Sequence, residues 1–242
     1  METLTELGLG FYALELSHSR AFLIVGDERA LMVDTGSDPC DIWAVIRSVT
    51  DLPCDLFCTH SDGDHTCNHN QFASAYCHEA ELPLFASDRS NVTIPLIPVP
   101  DEHVFDLGNV RLEVIHTPGH TAGHCCLLNR DDRWLISGDI ISYDTVFLFG
   151  PTRDLPQYRE TLDELCKLRD EFSLIYPCHG ICPIPVTAID EIRSCVDETV
   201  AGNIVGEAEA FPFPTEHTVL KYQLGNCSIF TEERYIQHGT SF

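Results

Sequence analysis

Apolar residues in this chain fall mostly in short runs separated by polar turns, a pattern that predicts strands more often than long helices. Residues 11–16, 21–26 and 30–33 predict three strands, the last two joined by a turn at Asp27-Glu28-Arg29. The period changes over 41–49, where Ile42, Val45, Ile46 and Val49 share one helical face. The run 54–59 returns to a buried strand, and strand, helix, strand is the order of a layered α/β protein. Residues 66–75 have helical character, while 82–100, rich in proline and β-branched residues, predicts a loop over a pocket. Strands are predicted again at 110–115, 125–128, 134–136 and 174–176. Residues 155–171 predict a helix, and 185–209 a long acidic helix stopped by Phe211-Pro212-Phe213-Pro214. A hairpin closes the pattern, 219–223 and 227–231 about Leu224-Gly225-Asn226, placed to return to a sheet edge.

Composition narrows the class of protein. At 242 residues, 44% hydrophobic and 21% charged, the chain can bury a substantial core. The expected organisation is a metal-binding core over 1–185, with 186–242 completing the same domain. Lys+Arg number 14 against 38 Asp+Glu, a formal net charge of -24. Such a surface repels nucleic-acid phosphates and anionic membranes, so the expected partner is a small-molecule substrate, with self-association left open. The twelve cysteines are scattered through apolar runs, among them Cys54, Cys58, Cys125, Cys126 and Cys166. With no basic-plus-apolar leader and no run of membrane-spanning length, a reducing cytoplasmic setting is expected. Cys178 and Cys182 flank His179, but no second thiol pair at finger spacing accompanies them, and a zinc finger is set aside.

The chemistry collects where strands end. His60-Ser61-Asp62-Gly63-Asp64-His65 follows the 54–59 run. In an extended segment alternate residues point the same way, so His60, Asp62 and Asp64 are expected to face one volume and His65 another. Imidazole with carboxylate is a ligand set for zinc, iron or manganese. Further on, His116, His120 and His124 recur at four-residue spacing, with Pro118-Gly119 forming a tight turn that aims His120. His116 and His124 read as satisfied imidazoles of the flanking strands. Ser137-Gly138-Asp139 and Pro177-Cys178-His179-Gly180 end two later strands. Asp34-Thr35-Gly36 reads as a polar turn whose carboxylate bonds nearby backbone N–H groups. His69, one turn beyond His65, reads as a surface or supporting residue.

Taken in order, these residues resemble the metallo-β-lactamase superfamily, whose signature H-x-H-x-D-H is followed by a distant His, Asp and His. Here the positions are His60, Asp62, Asp64 and His65, then His120, Asp139 and His179, and the match runs from the Asp34-Thr35-Gly36 turn to Gly180. The resemblance implies an α/β fold, a four-layer αββα sandwich, with two divalent metal ions at one edge. Zinc is the first expectation, iron or manganese the alternatives. His60, Asp62 and His120 would hold one ion, Asp64, His65 and His179 the other, and Asp139 would bridge them.

Two departures matter. Asp62 replaces the second histidine of the signature, and Asp139 stands where zinc β-lactamases carry cysteine, which argues against antibiotic hydrolysis. The implied activity, glyoxalase II-like or lactonase-like, is hydrolysis of a small ester, thioester or lactone by a metal-bound hydroxide. Asp64 would orient the nucleophile and carry its proton. Tyr143 is the candidate to bond the developing oxyanion or the leaving group. Residues 140–150 contain no Lys or Arg, which turns the expectation away from glutathione conjugates, and Phe147 and Phe149 are expected to line the pocket. Two alternatives follow from Asp62: a di-iron redox or oxygen-handling protein, and a binding or sensing protein whose first metal site is weakened.

Overall fold

The structure is a computed structural model describing residues 3–87, 90–209, 211, 215 and 217–236. Continuous aliphatic runs bury both faces of a strand, and the chain meets this by stacking two sheets with helices outside them. The first sheet takes seven strands in chain order: β1 (Thr3–Gly8), β2 (Phe11–Glu15), β3 (Arg20–Val25), β4 (Ala30–Val33), β5 (Cys54–Phe57), β6 (Ala75–His78) and β7 (Leu96–Val99). Strands β1 to β4 pair antiparallel, and β4 to β7 run parallel. The second sheet contains β8 (Val104–Asp106), β9 (Arg111–His116), β10 (Cys125–Asn129) and β11 (Trp134–Gly138). After β12 (Thr145–Leu148), which lies elsewhere, it is completed by β13 (Leu174–Pro177) and β14 (Ile184–Pro185), in the order β14-β13-β11-β10-β9-β8.

Between the sheets Phe22, Phe57, Leu112, Val114, Leu127 and Ile136 form one buried cluster, with Phe11 stacked on Trp134 at 4.4 Å. Outside the first sheet, α1 (Ile42–Arg47) starts on its Asp41 cap and buries Ile42 and Ile46 with Leu23, Met32 and Leu56. Outside the second, α4 (Leu155–Lys167) and α5 (Ala188–Val200) bury Tyr158, Leu162, Ile189 and Ile192 with Leu128, Leu135 and Ile175. The layers are helix, sheet, sheet, helix, the expected four-layer sandwich. Among the described residues no helix is long and apolar enough to cross a membrane.

Several elements differ from the sequence expectation. The helix of 185–209 is the shorter α5, which ends just before Gly202 turns left-handed at φ +76°. The helical turn α2 (Gly63–Thr66) ends where that segment was expected to begin, and the rest of 66–75 holds only a 3-10 turn at His69–Gln71 before β6 starts at Ala75. The 82–100 segment holds α3 (Leu82–Phe85) and then β7, whose edge position tolerates Pro98. The proposed stop at Pro212-Phe213-Pro214 lies outside the described residues. The final hairpin, β16 (Val219–Leu224) and β17 (Cys227–Glu232), joins neither main sheet. With β15 (Glu207–Ala208) it forms a third sheet, in which β17 pairs parallel with β12. Its Tyr222, Cys227 and Ile229 share the buried cluster of α4 and α5.

Register decides what meets at the sandwich edge. Val33 of β4 is opposite Phe57 of β5, and Gly138 of β11 is opposite Pro177 of β13. Both are parallel pairings, so Asp34 leaves the sheet beside Cys58, and Asp139 beside Cys178 and His179. His116 of β9 pairs with Cys125 of β10, which makes 117–124 a closed loop over the same edge.

Candidate metal centre

The turn α2 reorders the first cluster. Gly63 begins a helical turn after Asp62, so the segment does not stay extended and Asp64 does not share a volume with His60 and Asp62. Asp62 Oδ2 lies 3.4 Å from His120 Nε2 and 3.7 Å from His60 Nε2. Asp64 Oδ2 lies instead 3.3 Å from His179 Nε2 and 3.7 Å from His65 Nε2. Asp139 stands between the two groups. Its Oδ1 is 3.3 Å from His65, and its Oδ2 is 3.2, 3.6 and 3.8 Å from His179, His120 and His60.

Three of the four rings are fixed through the far nitrogen. The His65 Nδ1–H donates to Asp34 Oδ2 at 2.9 Å. The Thr59 hydroxyl donates to that same carboxylate oxygen at 2.7 Å, which leaves it to accept from His60 Nδ1 at 3.0 Å. The His120 Nδ1–H donates to the carbonyl of Phe147 in β12 at 3.0 Å. In all three rings the Nε2 lone pair is thereby turned inward, the tautomer that binds metal. The Nε2 atoms of His60 and His120 and Oδ1 of Asp139 are buried with no hydrogen-bond partner among the described residues. Buried acceptors of mixed imidazole and carboxylate character that converge on one volume fit divalent metal ions.

Asp34 bonds backbone as a turn carboxylate would, but at long range and not to the nearby N–H groups the sequence suggested. It accepts the Thr59 N–H at 2.8 Å, bonding backbone across to the exit of β5, and its second oxygen fixes His65. It does so from a left-handed backbone, φ +59°. His124 is a satisfied imidazole as expected. Its Nδ1 is bonded to Thr117 Oγ1 at 2.8 Å, and its Nε2 accepts the Asp139 N–H at 3.1 Å, which positions the central carboxylate. His116 bonds the Ala122 carbonyl. His69 is fully buried on Thr35 Oγ1 and is not a surface residue, and burial pushes its pKa down to about 4.

Electrostatics follow this geometry. Burial alone would depress His179, but Asp139 and Asp64 outweigh it and lift its pKa to about 10. Burial opposes the charge on Asp139, and His65 and His179 overcome it, holding the carboxyl well below its usual range. Asp62 is likewise held well below its usual range, burial being outweighed by His120, His60 and Arg153. His120 is pushed down by burial and by Arg153.

Tyr143 is misplaced for the role expected of it. Its hydroxyl donates to Glu191 of α5 at 2.8 Å, and its ring packs on the α4–α5 cluster. Two other residues carried no motif signal. Glu81, fully buried, accepts from Ser61 N and Oγ and from Thr121 Oγ1 and Gly123 N, so it ties the His60 loop to the His120 loop. Arg153 contacts Asp62 directly through Nη2. It lies three positions beyond the stretch whose lack of basic residues argued against glutathione conjugates, and it faces a cavity of about 500 Å³. Leu84, Phe147, Phe149 and Pro151 form the apolar part of that cavity, and Asp62 and Gly63 open into it.

A further trio, His78, Asp101 and His116, also brings ligand atoms together. Its two rings stack at 3.8 Å and 16°, so their in-plane lone pairs run side by side and do not converge on one ion.

Comparison with known proteins agrees with this geometry. The family model described as the metallo-beta-lactamase superfamily matches residues 15–179. The Beta-lactamase-like protein 2 homolog of Caenorhabditis elegans is 26% identical over 209 residues, covering 84% of this chain and 67% of that protein. An Atrochrysone carboxyl ACP thioesterase of Aspergillus novofumigatus is 21% identical over 200 residues, covering 81% of this chain and 57% of that protein. The chain thus spans 57% to 67% of the length of these curated relatives. Among solved structures, a metallo-beta-lactamase from Pontibacter korlensis superposes with a TM-score of 0.71 at 17% identity, over 81% of this chain and 99% of that one. At that identity the likeness is one of fold.

Proposed function

Because the chain belongs to the metallo-beta-lactamase superfamily, we propose that it is a metal-dependent hydrolase of a small ester, thioester or lactone. The observation that carries this reading is the set of acceptors left over at the centre: His60 Nε2, His120 Nε2 and Asp139 Oδ1, buried and without partners among the described residues. Each such group costs about 1–3 kcal/mol when unsatisfied, and two divalent ions would satisfy them together. His60 and His120 would hold one ion beside Asp62, and Asp64, His65 and His179 the other, with Asp139 between them. When bound, the ions, zinc first among the candidates, supply an ionised water near neutral pH and polarise the acyl oxygen. Asp64, with 38% of its side chain exposed, is the most exposed carboxylate of the centre and is assigned to orient the attacking water and take its proton. The wall formed by Leu84, Phe147 and Phe149 suits an acyl chain and keeps bulk water from it. Thioesters are included because the Aspergillus relative is named a thioesterase. The di-iron alternative rests on a carboxylate at position 62, and the contact of that carboxylate with Arg153 weighs against its serving an iron there.

The test is turnover of a panel of simple aryl esters, acyl thioesters and lactones, before and after exhaustive chelation and after zinc is restored. Hydrolysis should vanish with chelation and return with the metal. Turnover indifferent to chelation would overturn the reading.

A further inference from the structure

We infer that Arg153 withholds Asp62 from the His60–His120 half of the centre, so that the two halves bind metal with unequal strength. This rests on the metal centre proposed above and concerns only how its ligands are shared.

The contact partners of Asp62 carry the argument. Its Oδ2, the oxygen facing His120 and His60, is the atom that Arg153 Nη2 contacts. The Arg153 side chain is 12% exposed and that of Asp62 29%, so the pair is partly shielded from water, and a guanidinium–carboxylate contact is charge-assisted. The arginine is also anchored. Its Nη1 donates to Thr152 Oγ1, and the next residue, Asp154, donates its N–H to the Gly119 carbonyl, in the loop that carries His120. Arg153 is therefore fixed to the same half of the centre whose ligand it holds.

Among the described residues the other half has no such competitor. The near neighbours of Asp64 Oδ2 are His179 and His65, imidazoles that are themselves candidate ligands. An ion at Asp64, His65, His179 and Asp139 meets two uncommitted carboxylates. An ion at His60 and His120 meets one such carboxylate, a second already bonded to a cation, and that cation itself. In charge, Asp62 with Arg153 sums to zero, the value a neutral histidine would give at position 62. In lone pairs the exchange is not equivalent, because the carboxylate is already engaged.

The experiment is zinc titration of the metal-free full chain by calorimetry, with a chromophoric chelator as competitor. The wild type should bind two ions in well-separated steps. Arg153→Met, which keeps an unbranched stem and removes the charge, should tighten the weaker step by about 10–100-fold and leave the tighter step nearly unchanged. Arg153→Gln should act in the same direction and serves if the first variant does not fold, as judged by thermal melting of the metal-free protein. Two ions of equal affinity in the wild type, or a weaker step unmoved in a folded variant, would overturn the inference. Absence of zinc binding in every form would instead overturn the metal centre itself.

Discussion

A single carboxylate, Asp34, organises a large part of the centre without facing its middle. It accepts from the Thr59 backbone and hydroxyl and from His65, and through the hydroxyl it also orients His60. Sequence spacing gave no sign of this, because 25 and 31 positions separate Asp34 from Thr59 and His65. The same holds for Arg153, 91 positions from Asp62, and for Glu81. The candidate ligands, in contrast, carry a local signal: His60, Asp139 and His179 stand within three residues of the end of an apolar run, and His120 follows the Pro118-Gly119 turn. Tyr143 failed as a reading because nearness in sequence to Asp139 says nothing of direction, and its side chain turns to Glu191. In the metal-free chain, His179 has a folded pKa raised to about 10, so its pairing contributes stability that is whole below the unfolded value of about 6.5 and drains as pH rises toward 10. The depressed carboxylates act in the opposite sense, their contribution being present above about pH 4 and lost on acidification. The urea midpoint of the metal-free chain should therefore decline between pH 7 and 10. A flat midpoint over that interval would deny the pairing of His179 with Asp139 and Asp64.

At the scale of elements, the turn after β11 is the most exacting. Gly138 has φ +52°, and a Cβ built there would lie 2.5 Å from His124 Nε2, the atom that holds Asp139 in place. Gly138→Ala should cost about 1–3 kcal/mol in chemical denaturation and should also weaken metal binding, because His124 and Asp139 move together. Wild-type stability in that variant would mean that the turn relaxes freely. The glycine was visible in the sequence, but its contact with His124 was not. Elements with strong periodicity, such as α1 and α4, were readable, as were the aliphatic strands around them. Those with weak local signals were not: β1 is polar and largely exposed, β7 is interrupted by proline, and β12 is specified by its pairing with β17, some 83 residues away. The end of α5 was overrun even though Gly202 marks it, because the acidic helical composition continues past it to Glu209.

At the scale of the molecule, the net charge of -24 is the dominant fact outside the centre. Like charges on a compact body repel, and salt screens that repulsion over roughly 8–10 Å at physiological strength. The thermal midpoint of the metal-free chain should rise with added sodium chloride, and a fall would show that its surface ion pairs outweigh the net repulsion.

The donors at the centre do not come from one layer. His60, Asp62, Asp64 and His65 follow a strand of the first sheet, whereas His120, Asp139 and His179 follow strands of the second. An ion bound by both sets is a rivet through the sandwich, and the layers cannot part until its bonds are broken. Loss of the ion would then shorten the life of the chain as well as silence it, since the opened edge is where a protease would gain entry. The amount of intact protein would in that case track the supply of metal, with no separate sensor needed to couple the two.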